Sequence, residues 1–259
     1  MPTAYSLLPD RFADDRQGAI ETGLAAAGWR IKKGYGAPRS PDDVLVTWSV
    51  NRGAKESAAR AFEAAGGRVV VCEDAYFREV RGERHFALAL HDHNGAGHWR
   101  CGGPERWESF GIALRPWLSH GEHILVREQR GIGSARMASP PLWHDQAIAR
   151  LRGLSQRPIK LRRHPKFVPD QPPLSEALKG AHAVVTWASS IAAQALVLGV
   201  PIFYEAPRIV CASACHRGLE KIETPAKPDR LPALERLAWA QWSVREIARG
   251  DAFRFLLAR

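Results

Sequence analysis

The stretch from Lys160 to Pro207 constrains this chain more than any other. Residues 183–187, Ala-Val-Val-Thr-Trp, are a short apolar and β-branched run of the length of one buried strand. Ala188-Ser189-Ser190 then turns into an apolar segment over residues 191–198, which predicts a helix. Gly199 stops that helix, and residues 200–204 predict the next strand. A strand–helix–strand unit of this spacing belongs in a parallel sheet, because parallel neighbours need a crossover and a helix is the usual one. Its first turn sets two hydroxyls and free backbone N–H groups at a helix N-terminus, a place suited to an anion such as phosphate. Upstream, residues 158–161 predict a strand that leads into a basic turn, Arg162-Arg163-His164-Pro165. Residues 174–179 read as a short helix with Ser175 as its cap.

An earlier segment repeats the same order. Val44-Leu45-Val46-Thr47-Trp48-Ser49 precedes a predicted helix over residues 54–65, then Gly66-Gly67, then an apolar run over 69–72 that meets Glu73. Both segments read strand, Thr-Trp, Ser, helix, Gly, strand, Glu. The shared order predicts two similar α/β halves. Convergence of a common strand–helix–strand unit is the competing explanation. The expected fold class is α/β, with two Rossmann-like domains facing a cleft over residues 1–118 and 119–232, and C-terminal helices over 233–259 broken near Trp242-Ser243. Residues 4–8 predict an edge strand or a short helix, 18–27, 107–114 and 142–153 predict helices, and 29–31, 86–90 and 123–126 predict strands. Pro116 to Gly121 reads as the interdomain linker.

His164-Pro165 followed by Ser189-Ser190 resembles the HP and SS motif pair of bacterial sialyltransferases and Kdo transferases. Those are GT-B glycosyltransferases, in which the His and the Ser hydroxyls hold the nucleotide part of a sugar donor. The whole chain also resembles a group of phage-encoded glycosyltransferase-like proteins. It shares with them an acidic residue after an early strand (Glu73), the Asn94-Gly95 segment, the Arg162 to Pro165 turn, the strand ending in Thr186 to Ser190, and Leu237-Ala238-Trp239-Ala240-Gln241-Trp242-Ser243.

The resemblance implies a GT-B fold whose last helix crosses back to the first domain. It implies a donor site of Arg162, His164, Thr186, Ser189 and Ser190, to which the Gln129 to Gly131 loop and Ser213 are added as neighbours. It assigns the general base of an inverting transfer to Glu73, with Asp74 as second choice, because a carboxylate must take the acceptor's hydroxyl proton as the anomeric carbon is attacked. In the family's acidic motif a Gly follows; here Ala75 stands in its place. The other explanation of Glu73-Asp74 is a helix cap or a salt-bridge partner for Arg78, Arg81 or Arg84. The long loop after residue 90 carries His91, His93, Asn94 and Gly95 as candidate acceptor contacts, since a loop of that length is seldom a plain connection.

Composition bears on the acceptor. The chain has 259 residues, 45% hydrophobic and 25% charged, enough for a sizeable core, and a formal net charge of +10. A polyanionic partner would use that charge, although Arg-rich codon usage in a basic genome explains it equally. The expected co-substrate is a UDP- or CMP-linked sugar, with no other cofactor. The expected acceptor is a 5-hydroxymethylated pyrimidine in double-stranded DNA. A Kdo- or sialic-acid-type transfer to a surface glycan is the rival, and a non-catalytic DNA-binding protein on a transferase fold is the third reading.

Several chemistries find no motif. There is no Asp-x-Asp triplet of metal-dependent transferases, and Gly131-Ile132-Gly133-Ser134 completes no GxGxxG, so neither an obligatory metal nor NAD is expected. His91-Asp92-His93 lacks a fourth ligand at standard spacing, and Cys211 and Cys215 lack the second half of a zinc site. The four cysteines include no CxxC pair and read as small buried residues of a reducing compartment. Asp10 and Arg11 interrupt the N-terminal apolar run too early for a signal peptide, and no run approaches the ~18 apolar residues of a membrane span. The expectation is a soluble cytoplasmic protein without a membrane partner, in the host cytoplasm if phage-encoded.

Overall fold

A computed structural model describes residues 1–9 and 16–258 of the chain, so Asp10 and Arg11 lie outside the described residues. In chain order the strands are β1 (Thr3–Ser6), β2 (Arg30–Lys33), β3 (Val44–Trp48), β4 (Arg68–Val80), β5 (Glu83–Leu90), β6 (His123–Arg127), β7 (Ile159–Arg162), β8 (Ala181–Thr186), β9 (Ile202–Tyr204), β10 (His216–Arg217) and β11 (Gln241–Ser243). The helices are α1 (Arg16–Ala26), α2 (Ala54–Ala64), α3 (Glu105–Phe110), α4 (Trp143–Leu154), α5 (Leu174–Leu178), α6 (Ile191–Val197), α7 (Leu231–Ala238), α8 (Val244–Ala248) and α9 (Asp251–Leu256). The strands form two sheets, ordered β11-β5-β4-β3-β1-β2 and β10-β9-β8-β6-β7. Two compact units contain them: Met1–Phe110, Gly133–Ala135 and Ala238–Arg259 form one, and Gly111–Ile132 with Arg136–Leu237 form the other.

In the first unit, β2, β1, β3 and β4 run parallel, and β5 and β11 close one side antiparallel to their neighbours. The burial of Val44 to Thr47 in β3 follows from cover on both faces of the sheet. On one face Val44, Val46, Val70 and Cys72 pack with Ile20, Leu24, Ile247 and Phe253. On the other, Leu45, Val69 and Val71 pack with Ala59, Phe62 and Tyr5. The second unit holds an all-parallel sheet whose buried strands pack on Trp143, Ala147 and Leu151 of α4. Its order reverses between β6 and β8, and such a switch point opens a crevice past the strands' carboxyl ends. Gly199 ends the α6 region at φ +76°, where a Cβ would stand 2.1 Å from the Pro116 carbonyl oxygen, so both its conformation and its contacts require glycine.

Four sequence expectations need correction. Residues 4–8 do not form an edge strand, because β1 lies between β3 and β2. Ser175 caps nothing: α5 starts at Leu174 after Pro173, with no side-chain cap bond. The strand ahead of Glu73 does not stop there but continues to Val80 as a long hairpin arm with β5, with a register shift between Asp74 and Glu79. The C-terminal segment does break near Trp242-Ser243, but the break is a strand and, among the described residues, the segment holds three helices, α7, α8 and α9, rather than two. Residues Gln241–Ser243 are a strand paired with His85 to Ala87, and Ser243 then caps α8 in a reciprocal capping box with Glu246. Among the described residues no helix is long and apolar enough to cross a membrane.

Candidate active site

Each unit carries one polar cluster beyond the carboxyl ends of its parallel strands. In the second unit the anchor is Thr186, the last residue of β8, wholly buried. Its Oγ1 accepts from Gln129 Nε2 at 3.1 Å and from the Ser189 amide at 3.2 Å. The three residues are thereby tied across the switch point between β6 and β8. The expected free amides at the start of α6 are largely absent. Ser189 Oγ accepts from Ile191 N–H, and Ala192 and Ala193 N–H go to the Ser189 and Ser190 carbonyls. The helix has 7 residues, so its dipole is small as well. Any anion recognition at this turn falls to hydroxyls and guanidinium groups rather than to bare N–H groups.

The basic turn after β7 is built on a residue that the sequence did not single out. Glu128, 5% exposed, accepts from the His164 amide at 2.6 Å and pairs with Arg163 Nε at 2.9 Å. Burial alone would raise its carboxyl pKa, but these two partners outweigh it and hold the group below its ordinary value. Arg127, also buried, donates to the carbonyls of Arg162 and Arg163 at 3.2 and 2.6 Å. Burial, with Arg162 nearby, lowers its pKa to about 10, so it stays cationic at neutral pH.

His164 Nδ1 accepts from the Lys166 amide at 3.1 Å, which leaves Nε2–H as the outward donor. Burial first, then Arg130 and Arg127, push its pKa down to about 4, so the ring is a neutral donor at physiological pH. Arg162 donates to the Pro172 carbonyl at 2.9 Å. The Gly131 amide donates to Ser139 Oγ at 3.2 Å. Ser190 is half-buried ahead of α6, without a side-chain cap bond. Ser213 is not brought to this group: it is exposed in a 3-10 turn, Ala212–Ala214, on the approach to the amino end of β10.

In the first unit, the parallel pairing of β4 ends at Cys72, opposite Trp48, and Glu73 comes next. Successive strand residues face opposite sides, so Glu73 and Asp74 part company. Asp74 pairs with Arg78 at 3.1 Å and Arg16 at 3.7 Å, the salt-bridge role considered for it above. Glu73 Oε1 lies 3.9 Å from His93 Nε2. His93 Nδ1 lies 3.1 Å from Asp92 Oδ1 as an ion-pair contact rather than a formed hydrogen bond, and Asp92 Oδ2 is 3.1 Å from Arg60. Burial opposes a charged His93, yet Asp92 and Glu73 outweigh it and raise the imidazole pKa. Asp92 is itself held below its ordinary value: burial is overcome by His93 and by the Ser134 hydroxyl.

Lys55 completes this cluster. It donates to the Trp48 carbonyl at 3.2 Å, and burial lowers its pKa while the charge of Glu73 works against that. His91, at φ +73°, turns instead to Glu63, 2.7 Å away. Asn94, at φ +51°, and Gly95 form the 3-10 turn Asn94–Ala96 that follows His93. Among the described residues no three His, Cys, Asp or Glu side chains gather in a metal-binding arrangement. The sequence reading therefore missed Asp92, Arg60, Lys55, Glu128 and Arg127. Two of these were visible as chemistry: Asp92 sits in the His-Asp-His triplet, and Glu128 follows the apolar run of β6.

No protein-family profile matches the chain, and no curated protein matches it by sequence. Solved structures do match. The β-Kdo 2,4-transferase of Thermosulfurimonas dismutans KpsC superposes with a TM-score of 0.58 at 10% identity, covering 96% of this chain and 98% of that one. The β-Kdo 2,7-transferase of the same KpsC gives a TM-score of 0.52 at 13% identity, covering 97% and 99%. Nearly the full length of each chain takes part, so this chain has the α/β fold of these two transferases.

Proposed function

We propose that the protein is a GT-B-like glycosyltransferase that moves a sugar from a nucleotide donor to a hydroxyl acceptor without an obligatory metal. The observation that carries this reading is the cluster of Gln129, Thr186, Ser189 and neutral His164 past the carboxyl ends of β6, β7 and β8. Around buried Thr186, the half-buried Ser189 and Ser190 offer hydroxyls and His164 a neutral N–H donor, with Arg162 and Arg163 to balance phosphate charge. In the first unit Glu73 supplies the carboxylate that removes the acceptor proton in an inverting displacement. Fold likeness to two Kdo transferases favours a CMP-linked acidic sugar and a glycan acceptor. The net charge of +10 favours a second acceptor, hydroxymethylated pyrimidine in DNA, with a UDP-linked sugar as donor.

One assay separates these readings. The protein is incubated with CMP-Kdo, CMP-sialic acid and UDP-glucose, each with an acidic oligosaccharide, hydroxymethylated DNA or plain DNA, and the products are weighed by mass spectrometry. The expected result is one added sugar on the oligosaccharide from a CMP-linked donor. A sugar on hydroxymethylated nucleosides only, with DNA binding that falls steeply as salt rises, establishes the DNA acceptor. Steep salt-dependent DNA binding with no sugar transferred from any donor leaves the non-catalytic reading and overturns the transferase.

A further inference from the structure

His93 occupies a position that acceptor binding alone does not explain. It is 8% exposed and stands between two carboxylates, Glu73 on β4 and Asp92 on the loop after β5. A cation from α2 stands by each carboxylate: Lys55 beside Glu73, and Arg60, which also pairs with Glu63, on Asp92. Asp92 is fixed further by the amide of His93 at 2.9 Å, and the wholly buried Ser134 lies against it. A deeply buried carboxylate held by a guanidinium has little freedom to move, so its negative charge stays fixed beside the ring. The ring's other nitrogen, Nε2, lies 3.9 Å from Glu73 Oε1, while Asp74 meets Arg78.

We propose that Asp92 and His93 form a relay behind Glu73, in which His93 Nε2 is the final acceptor of the proton that leaves the acceptor hydroxyl. The inference rests on the transferase reading and extends it. In the step, the acceptor O–H bond breaks as its oxygen bonds to the anomeric carbon. The anomeric carbon–oxygen bond to the nucleotide breaks, and the nucleotide leaves with that electron pair. The proton passes through the Glu73 carboxylate to His93 Nε2, and Asp92 balances the imidazolium formed. A carboxylate alone is a weak base at neutral pH, while a base with a pKa near the working pH is more effective. His93 must start neutral, so activity is lost as pH falls through its pKa, which the two flanking carboxylates place above the usual ~6.5.

The test has an arm that needs no substrate. The His93 ring resonance is followed by NMR across pH in the wild type, in Glu73→Gln and in Asp92→Asn. The relay predicts a pKa above ~6.5 that falls in both variants. In the second arm, the pH dependence of kcat is measured on the nucleotide sugar turned over in the assay above. His93→Ala should lose on the order of 10²-fold at pH 7.5, recover part of it with added imidazole, and move its acid limb into the carboxylate range. Asp92→Asn should move the limb down and lower the rate as well, by less than His93→Ala, because the imidazolium loses its counter-charge. A His93 that titrates at or below ~6.5, or ignores Glu73→Gln, overturns the relay whether or not a sugar is transferred. An acid limb unchanged in His93→Ala does the same. Absence of turnover with every donor overturns the transferase reading and the catalytic step with it, while the titration arm still reports the coupling of the three side chains.

Discussion

Glu73→Gln should cut turnover by roughly 10² to 10⁴ while leaving the fold and the donor affinity intact. The substitution keeps size and hydrogen bonding and removes only the proton-accepting carboxylate. Its backbone is anchored by Val69, Val70, Val71 and Cys72, all at most 1% exposed, and by pairing with Ala87 of β5. Thermal unfolding should therefore match the wild type closely. Donor affinity should hold because the residues proposed to bind the donor belong to the second unit. Asp74→Asn is the matched control: Asp74 lies on the other side of the strand, 40% exposed and paired with Arg78 and Arg16. Its loss should change turnover only a few-fold, as expected for an exposed pair. A dead Asp74→Asn with a normal Glu73→Gln reassigns the base, and two active variants remove it from this pair.

Glu128→Ala should weaken both the second unit and its hold on a nucleotide. The carboxylate is buried, and it ties the end of β6 to the turn after β7 through the His164 amide and Arg163. Removing one partner of a buried charge pair costs about 3–5 kcal/mol when both charges are dry. Arg163 is 51% exposed, so water recovers part of that, and about 2 kcal/mol is the fairer expectation. Urea unfolding reads the stability, and a nucleotide titration should show affinity lower by at least about tenfold, since His164 loses its fixed amide.

The same carboxylate makes a pH-dependent contribution of known sign. Its folded pKa is depressed, so its stabilisation is present above the unfolded value near ~4.3 and is lost as pH falls through the lower folded value. Glu128→Gln should flatten that acid limb. Unchanged stability and nucleotide affinity in Glu128→Ala would show that the turn is held by Arg127 alone.

The parts of the fold that were legible are those set by local pattern. Ala183, Val184 and Val185 are wholly buried in β8, and the apolar run with Gly199 behind it could hardly be anything but strand, helix and stop. The same holds for Val44 to Val46 in β3. What escaped was set by distant partners. Gln241–Ser243 is too short to read as a strand, and pairing with β5 makes it one. Arg106 then locks it, donating to the Ala238 and Gln241 carbonyls and lying 3.9 Å over the Trp242 ring, across more than 130 residues of chain. β4 runs past Glu73 because β5 pairs with it, while the adjacent acids Glu73 and Asp74 look in sequence like a strand end.

The candidate site divides the same way. Thr186 and Ser189 sit on one local turn and were readable, as was the neutral-donor geometry's core, His164, from its His-Pro turn. Glu128 lies 36 residues from the amide it holds, and Arg60 lies 32 from Asp92, so no spacing rule links them. The free amides expected before α6 were a local inference that local chemistry defeated, since Ser189 itself takes up the Ile191 amide.

The central claim is that residues past β6, β7 and β8 hold a nucleotide, and amide chemical-shift mapping with CMP and UDP tests it most directly. The account predicts saturable shifts confined to Glu128 to Gly131, Arg162 to Lys166 and Thr186 to Ile191, and their loss in Thr186→Val, which removes the oxygen that ties Gln129 to Ser189. Binding should persist from pH 8 down to about 5, because His164 stays neutral until about 4. Shifts that fall elsewhere in the second unit, or no saturable binding of either nucleotide, would contradict the account.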